Sequence, residues 1–193
     1  MKIYLIIVFL FCINNFVNAQ QKIMKLGSFP DGIDELSKND TIYYKDLNNI
    51  LDKYIGTWNF ENDSVYFQIS INKKLRIDSF PRVNIKFDEL VSEFIYKNKD
   101  VEIYNTKNED SYISGNLVFS ENKISLLYTE PTKNNYVRYK QANLMIEFIL
   151  DETPKLIWVR KNYDICWGTG EKPIFDMSDF KIPEKMLLTK QQN

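Results

Sequence analysis

The chain of 193 residues has no histidine. That excludes Ser-His-Asp and Cys-His activation of a nucleophile, imidazole-based zinc or iron sites and histidine acid–base work. It has two cysteines, Cys12 and Cys166, and the first falls in a segment expected to be removed. A single remaining thiol excludes an internal disulfide, even in an oxidising compartment. Charge of one sign is also missing: 25 basic residues are interspersed with 26 acidic ones. No basic stripe of the kind a phosphate backbone requires is present, so nucleic acid is not an expected partner. No tight run of oxygen ligands marks a calcium loop. Neither a metal nor a cofactor is therefore expected, and an enzyme on this chain would have to work with carboxylates, Lys or Tyr, or with a hard metal.

Long apolar runs are scarce as well. Residues 3–11 form one, preceded by Lys2 and followed by Val17-Asn18-Ala19. This is the pattern of a secretory signal peptide with cleavage after Ala19. The run is too short to span a bilayer, which takes ~20 residues. Phe11 before Cys12 is too bulky for a lipidation signal. The expected address is thus the periplasm or the extracellular space, with no transmembrane segment after cleavage. Residues 20–42 hold Gly27, Pro30, Asp31 and Gly32 and predict an irregular arm. Residues 43–193 predict a single domain.

What is abundant is aromatic and alternating. Leu47, Ile50, Leu51 and Tyr54 recur at spacings of three and four, which predicts one short amphipathic N-terminal helix with Asp46 near its start and Gly56 at its end. From there the period is two. Val65, Phe67, Ile69 and Ile71 share a face, as do Val83, Ile85 and Phe87, then Ile113, Gly115, Leu117 and Phe119. Ile124, Leu126 and Tyr128 follow, then Leu144, Ile146, Phe148 and Leu150. Polar turn residues separate these runs, for instance at 97–100, 120–123 and 151–154. The prediction is an all-β antiparallel up-and-down meander, closed or nearly closed into a barrel. Closure removes exposed edges, and an aromatic content of 15% is enough to fill the interior.

Gly56-Thr57-Trp58 stands at the head of the meander. Gly-x-Trp on a first strand resembles the opening of lipocalin-like barrels. The resemblance implies that Trp58 closes the barrel floor, beneath a cation from a late strand, here Arg160 or Arg138. An ordinary Gly-bounded strand with a core Trp is the plainer alternative. Cys166 beside Trp167 reads as a small packed residue rather than an activated thiol, because nothing beyond Arg160 and Lys161 lies near it in sequence to lower its pKa. Acids occur as Asp31, Asp34 and Glu35, as Glu109 and Asp110, as Asp151 and Glu152, and as Asp176 and Asp179. A carboxylate-based hydrolase needs two of them converging on one cleft; turn acids ordinarily accept local backbone bonds. Tyr43, Tyr44, Tyr136 and Tyr139 are candidates for a binding surface or for residues that bridge core and solvent.

Longer stretches carry a second resemblance. Asp46-Leu47-Asn48-Asn49, Tyr54-Ile55-Gly56-Thr57-Trp58, Glu102-Ile103-Tyr104-Asn105-Thr106, Leu126-Leu127-Tyr128-Thr129-Glu130-Pro131, Leu156-Ile157-Trp158 and the terminal Pro183-Glu184-Lys185-Met186-Leu187-Leu188-Thr189-Lys190-Gln191 follow in that order. The order resembles a family of small secreted bacterial proteins of unknown function, abundant in Bacteroidetes. The resemblance implies an exported, barrel-like single domain and brings no activity, ligand or catalytic residue. The expectation is a non-catalytic binding domain, taking a small apolar ligand in a cavity or a protein partner at its rim. The alternatives are an envelope interaction protein with a solid core and, behind both, the carboxylate hydrolase.

Overall fold

The computed structural model describes residues 21–28, 40–80, 83–109, 112–131, 141–162 and 180–192. The strands are β1 Gln21–Lys25, β2 Asp40–Lys45, β3 Gly56–Glu61, β4 Val65–Ser79, β5 Val83–Asn98, β6 Val101–Asn105, β7 Ile113–Ser120, β8 Lys123–Thr129, β9 Gln141–Ile149, β10 Lys155–Asn162 and β11 Lys185–Lys190. Eight of them, β3, β4, β5, β7, β8, β9, β10 and β11, close into an antiparallel barrel. Chain neighbours pair throughout the ring except that β6 folds out as a hairpin on β5, which lets β7 reach β5 at Leu90↔Gly115. The last strand returns to the first through Thr189↔Asn59 and Lys190↔Trp58. The predicted meander and its closure are both present.

The period of two explains the interior. Phe67, Ile69 and Ile71 of β4 point inward, with Leu90, Phe94 and Tyr96 of β5, Ile124, Leu126 and Tyr128 of β8, Leu144 and Ile146 of β9, and Leu156 and Trp158 of β10, all buried. Four rings cross the middle in mutual contact. Phe67 lies 5.7 Å from Phe94 and 5.2 Å from Trp158, while Tyr128 lies 6.4 Å from Phe94 and 6.1 Å from Trp158. Side chains can fill an eight-stranded barrel, and here large aromatic ones do.

One end is stopped by the segment before β3. The amphipathic helix predicted there is instead a single 3₁₀ turn, Asp52–Tyr54, and residues as early as Tyr43 and Tyr44 belong to β2. The reason is local. The Asp46 carboxylate accepts the N–H groups of Ile50 and Leu51 at 2.8 and 2.9 Å, and Asn49 takes a left-handed φ of 53°, which breaks the helical path. So short a stretch gains little from helix propagation. Leu51 and Tyr54 are nonetheless fully buried. The Tyr54 and Trp58 rings meet Phe148 edge-on at 6.2 and 6.4 Å. Lys53 ties the turn to the β7–β8 connection through Glu121 O and Asn122 Oδ1.

The second departure lies in and beside the predicted irregular arm. β1 falls within it, pairing in parallel with β2, which pairs in parallel with the start of β5. Residues 72–79 of β4 and 83–89 of β5 run on past the barrel wall, because β3 leaves β4 at Ile71. Together these strands form a wing in the order β1-β2-β5-β4.

Candidate binding surface

The wing has two faces, set by the same alternation that fills the barrel. On β4, Leu75 and Ile77 continue the inward phase of Phe67, Ile69 and Ile71, but at the wing there is no interior to receive them. Leu75 is 51%, Ile77 55% and Phe80, at the tip, 54% exposed. Register carries this face across the wing as the row Ile77, Lys86, Tyr43 and Ile23. On the other face Tyr44 stacks on Phe87 at 5.3 Å with planes 9° apart. With Leu26, Ile85 and Leu117 they line an open pocket of about 260 Å³.

Carboxylates clamp the wing root to the barrel. Asp88 accepts from the Tyr43 hydroxyl at 2.7 Å and from the Asp46 amide at 2.9 Å. The Asp88 hydrogen bond, helped by burial, pushes the Tyr43 hydroxyl up to about 12. Lys73 pairs with Asp52 and sits 3.6 Å from buried Asp46. Burial works against its charge, yet Asp52, Asp46 and Asp88 together hold its ammonium above the usual lysine range. Further out, Arg76 Nε meets Asp78 at 2.9 Å and its Nη1 meets Glu89 at 3.6 Å. Burial lifts the Glu89 carboxyl, with Arg76 opposing.

A buried polar cluster lies at the far end of the barrel. Glu130, 2% exposed, accepts from the hydroxyls of Tyr104 and Tyr128 and from the Lys181 amide. Burial first, and then the Glu130 charge, raises the Tyr128 hydroxyl well above the ordinary phenol range. Arg160, also buried, stacks its guanidinium 4.1 Å over Phe180 and donates from Nη2 to Ile182 O at 3.1 Å. Its pKa is lowered by burial, against the pull of Tyr128, Glu130 and Glu184. All polar contacts of Glu130 named here are to the protein itself, so the cluster acts as a latch fastening residues 180–182 across the barrel end.

The residues singled out from sequence fall as follows. Gly56 opens β3 with φ +129°, a conformation L side chains avoid. Trp58 is fully buried beside the 3₁₀ turn, and its Nε1 donates to Tyr54 O at 2.9 Å. The cation over its ring is Lys190 of β11, at 5.1 Å. Arg160, one of the two arginines expected in that role, is elsewhere. Trp58 is level with Lys190, whose amide donates to Pro154 O at 3.0 Å; Arg160 is six positions beyond Pro154, or roughly 20 Å away at strand rise. Glu109 accepts from the Tyr112 hydroxyl and Asp151 pairs with Lys155, each within its own turn. Arg138, Tyr136, Tyr139, Cys166, Trp167, Asp31, Asp34, Glu35, Asp110, Asp176 and Asp179 lie outside the described residues.

Sequence reasoning missed Glu130, Lys190 and the Asp46–Lys73–Asp88 clamp. A signal for Glu130 was available: two positions beyond Tyr128, it continues the inward phase of Ile124, Leu126 and Tyr128. Nothing local marks Lys190, which meets Trp58 only because the barrel closes. Residues 1–191 match the model of a family described as a family of unknown function, DUF6705. No curated protein and no solved structure matches the chain.

Proposed function

The chain belongs to the DUF6705 family, and we propose that it is an exported, non-catalytic binding domain that meets a protein partner through its wing. One contrast carries the reading. The barrel middle is occupied by the contacting rings of Phe67, Phe94, Tyr128 and Trp158, while Leu75, Ile77 and Phe80 stand out in solvent on the wing. A filled barrel favours recognition on the outside over an apolar ligand within, and a group of exposed apolar side chains on a projecting sheet suits a protein surface. Export rests on Lys2, the apolar residues 3–11 and the small residue Ala19. The absence of histidine and the separation of the described turn acids support a role without catalysis.

A photo-crosslinking residue at Ile77, compared with one at Leu150, tests this in the source cells. Leu150 is the more exposed of the two and lies in the turn between β9 and β10, outside the wing strands. The expected result is a discrete protein adduct from position 77 and none from 150. Equal labelling from both, or none from 77, sinks the wing as the binding surface.

The pocket of Leu26, Tyr44, Ile85, Phe87 and Leu117 favours a second reading, a small apolar or flat aromatic ligand held against the Tyr44–Phe87 stack. Native mass spectrometry of the purified protein with fatty acids and aromatic metabolites checks it. Binding that survives Leu117→Asp would remove that pocket from consideration.

A further inference from the structure

Among the described residues, the outer strand of the wing is an open sheet edge. Residues 72–79 of β4 pair with β5 on one side and, among the described residues, with no strand on the other. The Phe80 amide donates to Val83 O at 3.0 Å, so the even residues of β4 turn their backbone groups toward β5. Lys73, Leu75, Ile77 and Ser79 therefore direct theirs outward, ready to template another strand. We propose that the chain forms a two-fold symmetric dimer by antiparallel pairing of these β4 edges, with Ile77 on the axis. The proposal rests on the wing being the binding surface and names a second copy as its partner.

The register follows from charge. A two-fold axis perpendicular to the sheet places one residue opposite itself and pairs its neighbours symmetrically. Centred on Lys74, Arg76 or Asp78, the pairing opposes a charge with its own copy, and centred on Leu75 it opposes Lys74 with Arg76. Each is destabilising for directly facing like charges. Centred on Ile77, Arg76 faces the partner's Asp78 and Asp78 faces the partner's Arg76. On the opposite face of the sheet Ile77 meets the partner's Ile77, and Leu75 meets the partner's Ser79. The outward backbones of residues 75, 77 and 79 then exchange about six hydrogen bonds, two for each facing pair. Arg76 and Asp78 already touch within one strand at 2.9 Å, so dimerisation would join two such pairs into an alternating quartet. So small a contact makes a concentration-dependent dimer rather than an obligate one.

The test uses the full chain with Cys12→Ser and Cys166→Ser, carrying Ile77→Cys or, separately, Leu75→Cys. A hydrogen-bonded antiparallel pair sets Cα atoms ~5.5 Å apart, within disulfide reach. The two copies of position 75 would lie about 13 Å apart, out of reach. Mild oxidation is expected to give a covalent dimer from the Ile77→Cys chain and none from the Leu75→Cys chain. Sedimentation of the unsubstituted protein should move from monomer to dimer with concentration, and Ile77→Lys should abolish that shift. A monomer at every concentration overturns the proposal, as does a dimer without the cross-link at 77 or with an equal cross-link at 75. A crosslinked adduct at Ile77 with a different protein would overturn the dimer while leaving the wing as the binding surface.

Discussion

Phe94→Ala measures how solid the barrel is. Phe94 is 1% exposed and sits between Phe67 at 5.7 Å and Tyr128 at 6.4 Å. Both neighbours are also held against Trp158, so they cannot swing in to refill the space. Removing the ring costs its transfer free energy plus the cavity left behind, together about 3–5 kcal/mol. For a domain of this size each kcal/mol shifts the melting temperature by ~2–4 °C, which makes the expected drop roughly 6–20 °C. Urea titration followed by circular dichroism gives the free energy, with an unchanged m-value showing that the fold is retained. The new cavity is apolar and dry, the kind that takes benzene. Melting with and without benzene should therefore stabilise the variant more than the parent, since a ligand at a hundred times its Kd adds ~2.7 kcal/mol. A loss below ~1 kcal/mol, or equal stabilisation of parent and variant by benzene, would show that the interior is not packed and would restore the ligand-in-barrel reading.

Glu130→Ala strips the acceptor from Tyr104, Tyr128 and the Lys181 amide and removes a negative charge from the surroundings of buried Arg160. A loss of about 3–5 kcal/mol is expected in urea denaturation, with Glu130→Gln losing less because one acceptor remains; equal losses would mean that the retained acceptor contributes nothing and the charge carries the latch. Gly56→Ala meets both the φ of +129° and a Cβ contact 3.0 Å from Lys190 Cε. It should cost about 1–3 kcal/mol, and adding Lys190→Ala should recover little, because the backbone bears most of the strain; full recovery would place the cost in the side chain. Tyr43→Phe tests the clamp by its pH signature. The hydroxyl is raised to about 12 in the folded chain, so its contribution is whole below the ordinary tyrosine pKa of ~10 and is lost as the pH climbs toward 12. The variant should lose stability less steeply across that window, and an unchanged slope would argue against the Tyr43–Asp88 bond.

Strands were legible wherever the period of two was clean, as in Phe67 to Ile71 or Ile124 to Tyr128, because alternation is a property of neighbouring residues. The meander was legible for the same reason where a few residues join the strands, as at 62–64, 121–122 and 150–154. The segment around Asp46 misled because its apolar spacing of three and four fits a helix, while the Asp46 carboxylate and the left-handed Asn49 select a capped turn. β1 was missed because five residues on an edge show little apolar contrast. Even Leu75 and Ile77, which alternate as the barrel core does, carry no mark that the wall ends at Ile71.

From the sequence alone came the all-β class, the antiparallel order and the exclusion of histidine chemistry. The tertiary structure alone decided that Lys190 covers Trp58, that Glu130 latches residues 180–182, and that part of the apolar alternation faces water on a wing whose outer edge pairs with no other described strand. The physical reason is register. Local periodicity says which side a residue faces, but the pairing of distant strands says what it faces, and a shift of six positions along β10 and β11 separates Arg160 from Trp58 and brings Lys190 over its ring.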